Sequence, residues 1–407
     1  MKKTRLRKYA QLIARMGCNV QKGQDVFVTA GIEQPEFTAM VVDELYKAGA
    51  RKVHVLFDYQ PLEKLHVRHR SVKALSTVEP FEEAKLQYMA DRLPCRLFLV
   101  SDDPDGLKGM NTEKMAKGQQ GRYPIIKPYR DAIEGKHQWC IAGVPGVAWA
   151  KKMFPDEPKG RAVEKLWEAI LSTARVDDDP ICAWQTHNKN LHDRCAYLNS
   201  LGIDTLEYKA SNGTNLTVGM IPEARFCGGG ETTDKGVFFN PNIPTEECFI
   251  SPMKGKAEGM VYASKPLSYQ GQLIEDFWFR FEGGKVVEAH AEVGNDLLQK
   301  LITMDEGAAY LGECALVPYD SPINQTGLLF YNTLFDENAC CHLAIGMGFP
   351  DTIEDHHNKT LEECRALGVN DSMVHEDFMI GTEDLEILAH CRDGKTVPIF
   401  RSGTWAF

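Results

Sequence analysis

The sequence predicts an α/β N-terminal domain followed by a β-rich α+β C-terminal domain, the latter an antiparallel sheet or partial barrel. Three observations predict it. Strand-like and helix-like runs alternate up to Ala174, the rhythm of a parallel sheet with crossover helices. Asp177-Asp178-Asp179-Pro180 then breaks the helical pattern. Beyond about residue 200, short β-rich runs separated by Gly, Asn and Asp take over, the texture of an antiparallel sheet. The expected division is 1–178 and 179–407.

The elements follow in order. Leu6 to Met16 carries apolar residues at helical spacing, and Gln24 to Ala30 (QDVFVTA) alternates like a strand. Phe37 to Gly49 reads as a helix stopped by a glycine, which tolerates the left-handed turn at a helix end. Lys52 to Asp58 (KVHVLFD), Leu97 to Ser101 and Trp139 to Val144 are further strands. Helices are expected over Phe81 to Leu93, Asn111 to Gln120 and Asp156 to Ala174. In the second part, strands are expected at Thr205–Tyr208, Asn215–Val218, Gly236–Phe239, Gly259–Tyr262, Phe277–Phe281 and Lys285–Glu292. No internal repeat or low-complexity segment interrupts them.

Composition narrows the function. Of 407 residues, 43% are apolar and 25% charged, as in a globular enzyme. A net charge of −11 repels phosphate backbones, so nucleic acid is not an expected partner. The basic start Met1-Lys2-Lys3-Thr4-Arg5 has no apolar segment after it, because Lys8, Gln11, Arg15 and Lys22 intervene. No run of apolar residues is long enough to span a bilayer, so no membrane role is expected. The 12 cysteines show no CxxC pair, which fits a reducing, cytoplasmic location. No G-x-G-x-x-G, HExxH or G-x-S-x-G occurs, which removes the dinucleotide, helical zinc-protease and serine-hydrolase signatures.

Four C-terminal segments concentrate metal-ligand residue types within apolar surroundings. They are Pro241 to Cys248 with Glu246 and Glu247, Gly312 to Val317 with Glu313, Leu334 to Ala344 with Glu337 and His342, and Asn370 to Gly381 with His375 and Asp377. A buried charge is costly unless paired or coordinated. If the four converge, a carboxylate-rich set suits a two-metal site. His375 and Asp377 are two apart, so on a strand they share a face. Glu337 and His342 are five apart, so the chain must turn between them for both to reach one site. Adjacent Glu246 and Glu247 cannot both point inward from a regular strand. Taken singly, each of these residues is more often a solvated acid or a hydrogen-bonded core histidine than a ligand. His187 with His192, and His356 with His357, are weaker candidates because they sit among polar residues.

Together the segments resemble the metallo-aminopeptidases of the aminopeptidase T and aminopeptidase S type. The resemblance rests on Asn242-Ile243-Pro244-Thr245-Glu246-Glu247 and on Gly312-Glu313. It rests most on Asn332-Thr333-Leu334-Phe335-Asp336-Glu337-Asn338-Ala339 with His342, and on His375-Glu376-Asp377-Phe378-Met379-Ile380-Gly381. Lys8-Tyr9-Ala10, Trp149-Ala150, Phe154-Pro155-Asp156, Leu166-Trp167 and Val397-Pro398-Ile399-Phe400-Arg401 extend it over nearly the whole chain. It implies a homodimeric exopeptidase whose 179–407 domain is catalytic. It implies peptide substrates with a free N-terminus and two divalent ions per chain (Zn, Co or Mn) that activate a water. The implied ligands are Glu247, Glu313, Glu337, His342, His375 and Asp377, with Glu246 as the candidate general base. One departure stands out: Phe349, in Gly348-Phe349-Pro350, occupies the place of a family tyrosine that lies at the metal site. Phenylalanine has no oxygen to offer a metal or an oxyanion. Phe349 supports a second reading, a catalytically weakened peptide- or metal-binding relative, and a metal hydrolase of another amide is a third.

Overall fold

Residues 2–407 are described by a computed structural model. In the strand Asp25–Gly31, Val26, Val28 and Ala30 are buried while Phe27 and Thr29 are half-buried, the alternation the sequence carries. This strand lies between Lys52–Asp58 and Cys95–Val100, parallel to both. Trp139–Gly143 and the short strand Asn242–Ile243 extend the parallel sheet to five strands. The helix Pro35–Ala48 ends at Gly49, whose φ of +115° suits a residue without Cβ. Tyr9 stacks on Phe37 at 5.6 Å, and Trp167 meets Phe37 at 5.0 Å, edge to face. Helices Lys3–Leu12, Pro35–Ala48 and Lys159–Thr173 thereby share one buried aromatic cluster. The Tyr9 hydroxyl donates to Gly143 O at 3.1 Å, tying that cluster to the sheet.

Two differences from the sequence reading concern helices. The segment expected to stop at Gln120 continues as Thr112–Ile133, through Pro124 and Pro128. Tertiary packing overrides local propensity here. A Cβ on Gly118 would stand 2.8 Å from Leu75 Cβ, so glycine permits the helix to lie against the segment Val72–Ser76. The second difference is at Asp177–Pro180. The preceding helix, Lys159–Thr173, already ends before the run, and the run starts another, Pro180–Ser200, with Asp179 Oδ1 accepting the Cys182 N–H at 3.1 Å. The tetrad is an N-cap with proline in the first turn.

By spatial contact the chain forms two units. The first runs through Thr186 and includes Gly230–Pro244 and Gln270–Gln272; the second holds His187–Gly229, Thr245–Tyr269 and Leu273–Phe407. The second unit contains the antiparallel sheets expected of the β-rich part. One, of nine strands, includes Pro252–Tyr262, Gln272–Glu282, Asn215–Met220, Ile203–Lys209 and Glu386–Cys391. The other has four strands in the order Cys248–Ile250, Leu311–Leu316, His342–Gly346, His375–Met379. Phe279 of the first sheet meets Phe378 of the second at 4.9 Å, and Phe277 lies 6.1 Å from it. All three are buried. Burying one such side chain contributes about 1.5–3 kcal/mol. Because Phe378 points into this apolar layer, its neighbours on the strand point away from it. Among the described residues, no helix is long and apolar enough to cross a membrane.

Candidate metal centre

The four-stranded sheet aligns Glu313, Ala344 and Asp377 in one cross-strand row. Residues so paired project from the same face. His342 and His375 lie two residues from Ala344 and Asp377, so they share that face. His375 and Asp377 belong to one strand, as their spacing requires. The small Ala344 side chain leaves room between the two carboxylates.

Glu337 reaches this region through the expected turn. A short helix, Thr333–Asp336, passes into a single 3-10 turn, Glu337–Ala339, before the strand starts at His342. Asp336 fastens the turn: its carboxylate accepts the N–H groups of Phe330 at 2.8 Å and Asn332 at 2.9 Å. Burial pushes this carboxyl up to about 7, against the pull of those bonds. Asn338 is fully buried and donates to Leu334 O at 3.0 Å and Glu337 Oε1 at 3.1 Å, while its Oδ1 accepts the Glu246 N–H at 2.7 Å.

The distances define two overlapping groups. His342 Nε2 lies 3.2 Å from Glu247 Oε2 and 3.9 Å from Asp377 Oδ1. His375 Nε2 lies 3.1 Å from Glu313 Oε2 and 3.4 Å from Asp377 Oδ1. Glu247, Glu313 and His342 each offer an atom within 4.8 Å of the others, as do Glu313, His375 and Asp377, so Glu313 is common to both groups. Glu246 and Glu247 diverge, although the segment that carries them is not a regular strand. Glu247 turns to His342, and Glu246 Oε2 lies 3.8 Å from His187 Nε2.

The electrostatics match a site for cations. Burial raises the Glu313 carboxyl to about 7, with Asp377 and Glu247 adding to the rise and His375 opposing it. Burial first, then Asp377, Glu247 and Glu313, push Glu337 well above the usual range. Burial disfavours a charged His342, but the Glu247 hydrogen bond and the surrounding carboxylates outweigh it and lift the imidazole to about 9. Asp377 is driven up by burial yet brought down to about 2 by His375 and His342. Its Oδ1 is buried without a hydrogen bond. His375 Nδ1 lies 2.7 Å from Met347 O, and His342 Nδ1 3.4 Å from Cys340 O. With each Nδ1 facing a carbonyl, Nε2 is the nitrogen turned to the carboxylates, and it is the atom that would ligate a metal ion once its proton is displaced. Crowded acids, an orphaned carboxylate oxygen and two oriented imidazoles fit divalent cations with oxygen and nitrogen preference.

Among the weaker sequence candidates, His192 is exposed, and the rings of His356 and His357 lie 3.7 Å apart, tilted by 42°, in a 3-10 turn. His187 belongs beside Glu246 rather than among the candidate ligands. Asn338, which links Glu337 to Glu246, had no signal of its own apart from its place in the Asp336-Glu337-Asn338 run.

Comparison with known proteins bears on the chain as a whole. A family model described as "Thermophilic metalloprotease (M29)" matches residues 2–405. The chain is 40% identical to aminopeptidase AmpS of Bacillus subtilis (strain 168) over 405 residues, covering 99% of this chain and 98% of that one. It is 39% identical to aminopeptidase T of Thermus aquaticus over 402 residues, covering 98% of each. The solved structure of wild-type AmpT from Thermus thermophilus superposes with a TM-score of 0.89 at 38% identity and full coverage of both chains. The chain therefore belongs to the thermophilic metalloprotease (M29) family.

Proposed function

We propose that the protein is a metal-dependent aminopeptidase that removes N-terminal residues from peptides with a free α-amine. The observation that carries this is the pair of overlapping ligand groups sharing Glu313. Glu247, Glu313, Glu337, His342, His375 and Asp377 would hold two divalent ions, Zn, Co or Mn. Bound cations supply the Lewis acidity that makes water a competent nucleophile near neutral pH and polarises the scissile carbonyl. The chain's own residues do the rest. Glu246 takes the proton from the attacking water at its carboxylate and delivers it to the nitrogen of the leaving amine. The Nδ1 contacts of His342 and His375 fix both rings before substrate arrives. Burial of the carboxylates keeps competing water out and strengthens their hold on positive charge, the substrate's α-ammonium included. The family resemblance also supports a homodimer, and the 12 free thiols support a reducing, cytoplasmic setting. The test is activity on an aminoacyl-anilide beside its N-acetylated form, before chelation, after it, and after adding back each ion. Cleavage of the free-amine substrate alone, lost on chelation and restored by an ion, is expected. Full activity in a verified metal-free sample, or equal cleavage of the acetylated substrate, refutes the proposal.

A further inference from the structure

We infer that His187 is a positioning residue for Glu246, holding the Thr245–Glu247 segment so that the Glu246 carboxylate stays aimed for proton transfer. The inference rests on the reading of Glu246 as the general base.

The segment needs holding. It lies outside any regular element, and the strand Cys248–Ile250 starts only after it. No strand ladder therefore dictates which of the two adjacent glutamates turns toward His342. Three contacts hold the segment instead. His187 Nε2 lies 2.7 Å from Thr245 O. The Glu246 N–H donates to Asn338 Oδ1 at 2.7 Å. The Thr245 hydroxyl lies 3.4 Å from Glu247 Oε1. Backbone is thus gripped on both sides of the Thr245–Glu246 peptide, and the next carboxylate is touched from Thr245.

The chemistry of the His187 contact is specific. A carbonyl oxygen only accepts, so Nε2 carries the hydrogen. The same nitrogen is 3.8 Å from Glu246 Oε2. That is beyond a hydrogen bond but close enough for the N–H dipole to attract an ionised carboxylate in a buried setting. His187 is 9% exposed and Glu246 6%. The ring's mounting is rigid: it sits on the helix Pro180–Ser200, on the stripe that also buries Leu191, Cys195 and Leu198. A histidine serving the fold alone would need only the Thr245 carbonyl. The approach of the same N–H to the Glu246 carboxylate is what assigns it to the chemistry.

Four variants test this: His187→Ala, His187→Gln, Glu246→Gln and the double variant His187→Ala/Glu246→Gln. Each is measured for kcat, KM, metal content and thermal midpoint. His187→Ala should lower kcat on the order of 10²-fold, the scale of an ångström-sized misplacement, with KM and metal content unchanged. His187→Gln should recover most of the loss, because its amide nitrogen can donate to Thr245 O from nearly the same place. The double variant should be no slower than Glu246→Gln alone, since a residue acting through Glu246 has nothing left to act on. If the alanine variant fails to fold, His187→Asn replaces it, its amide being too short to reach Thr245 O. Unchanged kcat without the imidazole, loss of metal, failure of glutamine to rescue, or full additivity in the double variant each overturns the inference. Wild-type turnover in Glu246→Gln would instead refute the general-base reading beneath it.

Discussion

Phe349 sets a ring without an oxygen beside a candidate metal ligand. Its ring centre lies 4.7 Å from the His375 imidazole and 5.6 Å from Phe249, and its backbone N–H donates to Ser251 Oγ at 2.7 Å. The phenyl ring is thus pinned beside a candidate metal ligand, where the family resemblance expects a phenol. A lost oxyanion donor costs about 2.7–4 kcal/mol, or roughly 10²–10³ in rate. Phe349→Tyr is expected to raise kcat toward that limit on an aminoacyl substrate at saturating metal. An unchanged kcat with metal content intact would mean that another group already supplies the donor and that Phe349 only packs. At this scale the sequence was informative where spacing constrains direction. The two-residue step from His375 to Asp377 follows from strand geometry, whereas Glu246 and Glu247 lie outside any strand and no such rule directs them. Nor does the pairing of His187 with Thr245, 58 residues away, follow from it. Nothing in helix periodicity says which distant backbone oxygen a buried imidazole will meet.

The four-stranded sheet converts scattered motifs into one surface. Glu313, Ala344 and Asp377 occupy a single row, so the centre strand must be small where the two acids face each other. Ala344→Leu places a branched side chain in that gap. Overpacking of this kind costs about 1–3 kcal/mol, and here it falls on the ligands. The variant is expected to fold with a reduced thermal midpoint and to lose most of its bound metal and activity together. Retention of full metal content, measured by elemental analysis of the purified variant, would show that Ala344 does not face the site. The strand Leu311–Leu316 is buried at every position, so it carries no alternation to read. Its place became visible only through Glu313. The helix Thr112–Ile133 is not legible past Gln120, because two prolines argue locally for a stop. The strands Asp25–Gly31 and Cys95–Val100, by contrast, are legible because one face is buried and the other is half-covered.

For the molecule as a whole, the site is a debit until it is filled. Glu247, Glu313, Glu337 and Asp377 are buried close to two imidazoles, in a chain that already carries a net charge of −11. Without cations, Glu313 and Glu337 are held above their ordinary range by burial and by the neighbouring acids, a sign that the ionised site is disfavoured in the fold. Anything that binds the native state and not the unfolded chain stabilises by RT ln(1 + [L]/Kd), about 2.7 kcal/mol for one site at a hundred-fold excess over Kd. Two sites should therefore give roughly twice that. Chelation is expected to lower the thermal midpoint. Adding Zn²⁺, Co²⁺ or Mn²⁺ back should raise it with ion concentration, until two equivalents per chain are bound. The alternative is a cation that merely visits an already stable pocket during turnover. It predicts lost activity on chelation but an unchanged midpoint. Calorimetry with and without chelator, on a sample whose metal content is measured before and after, separates the two. A midpoint indifferent to verified metal removal would mean that the carboxylates are compensated within the chain itself.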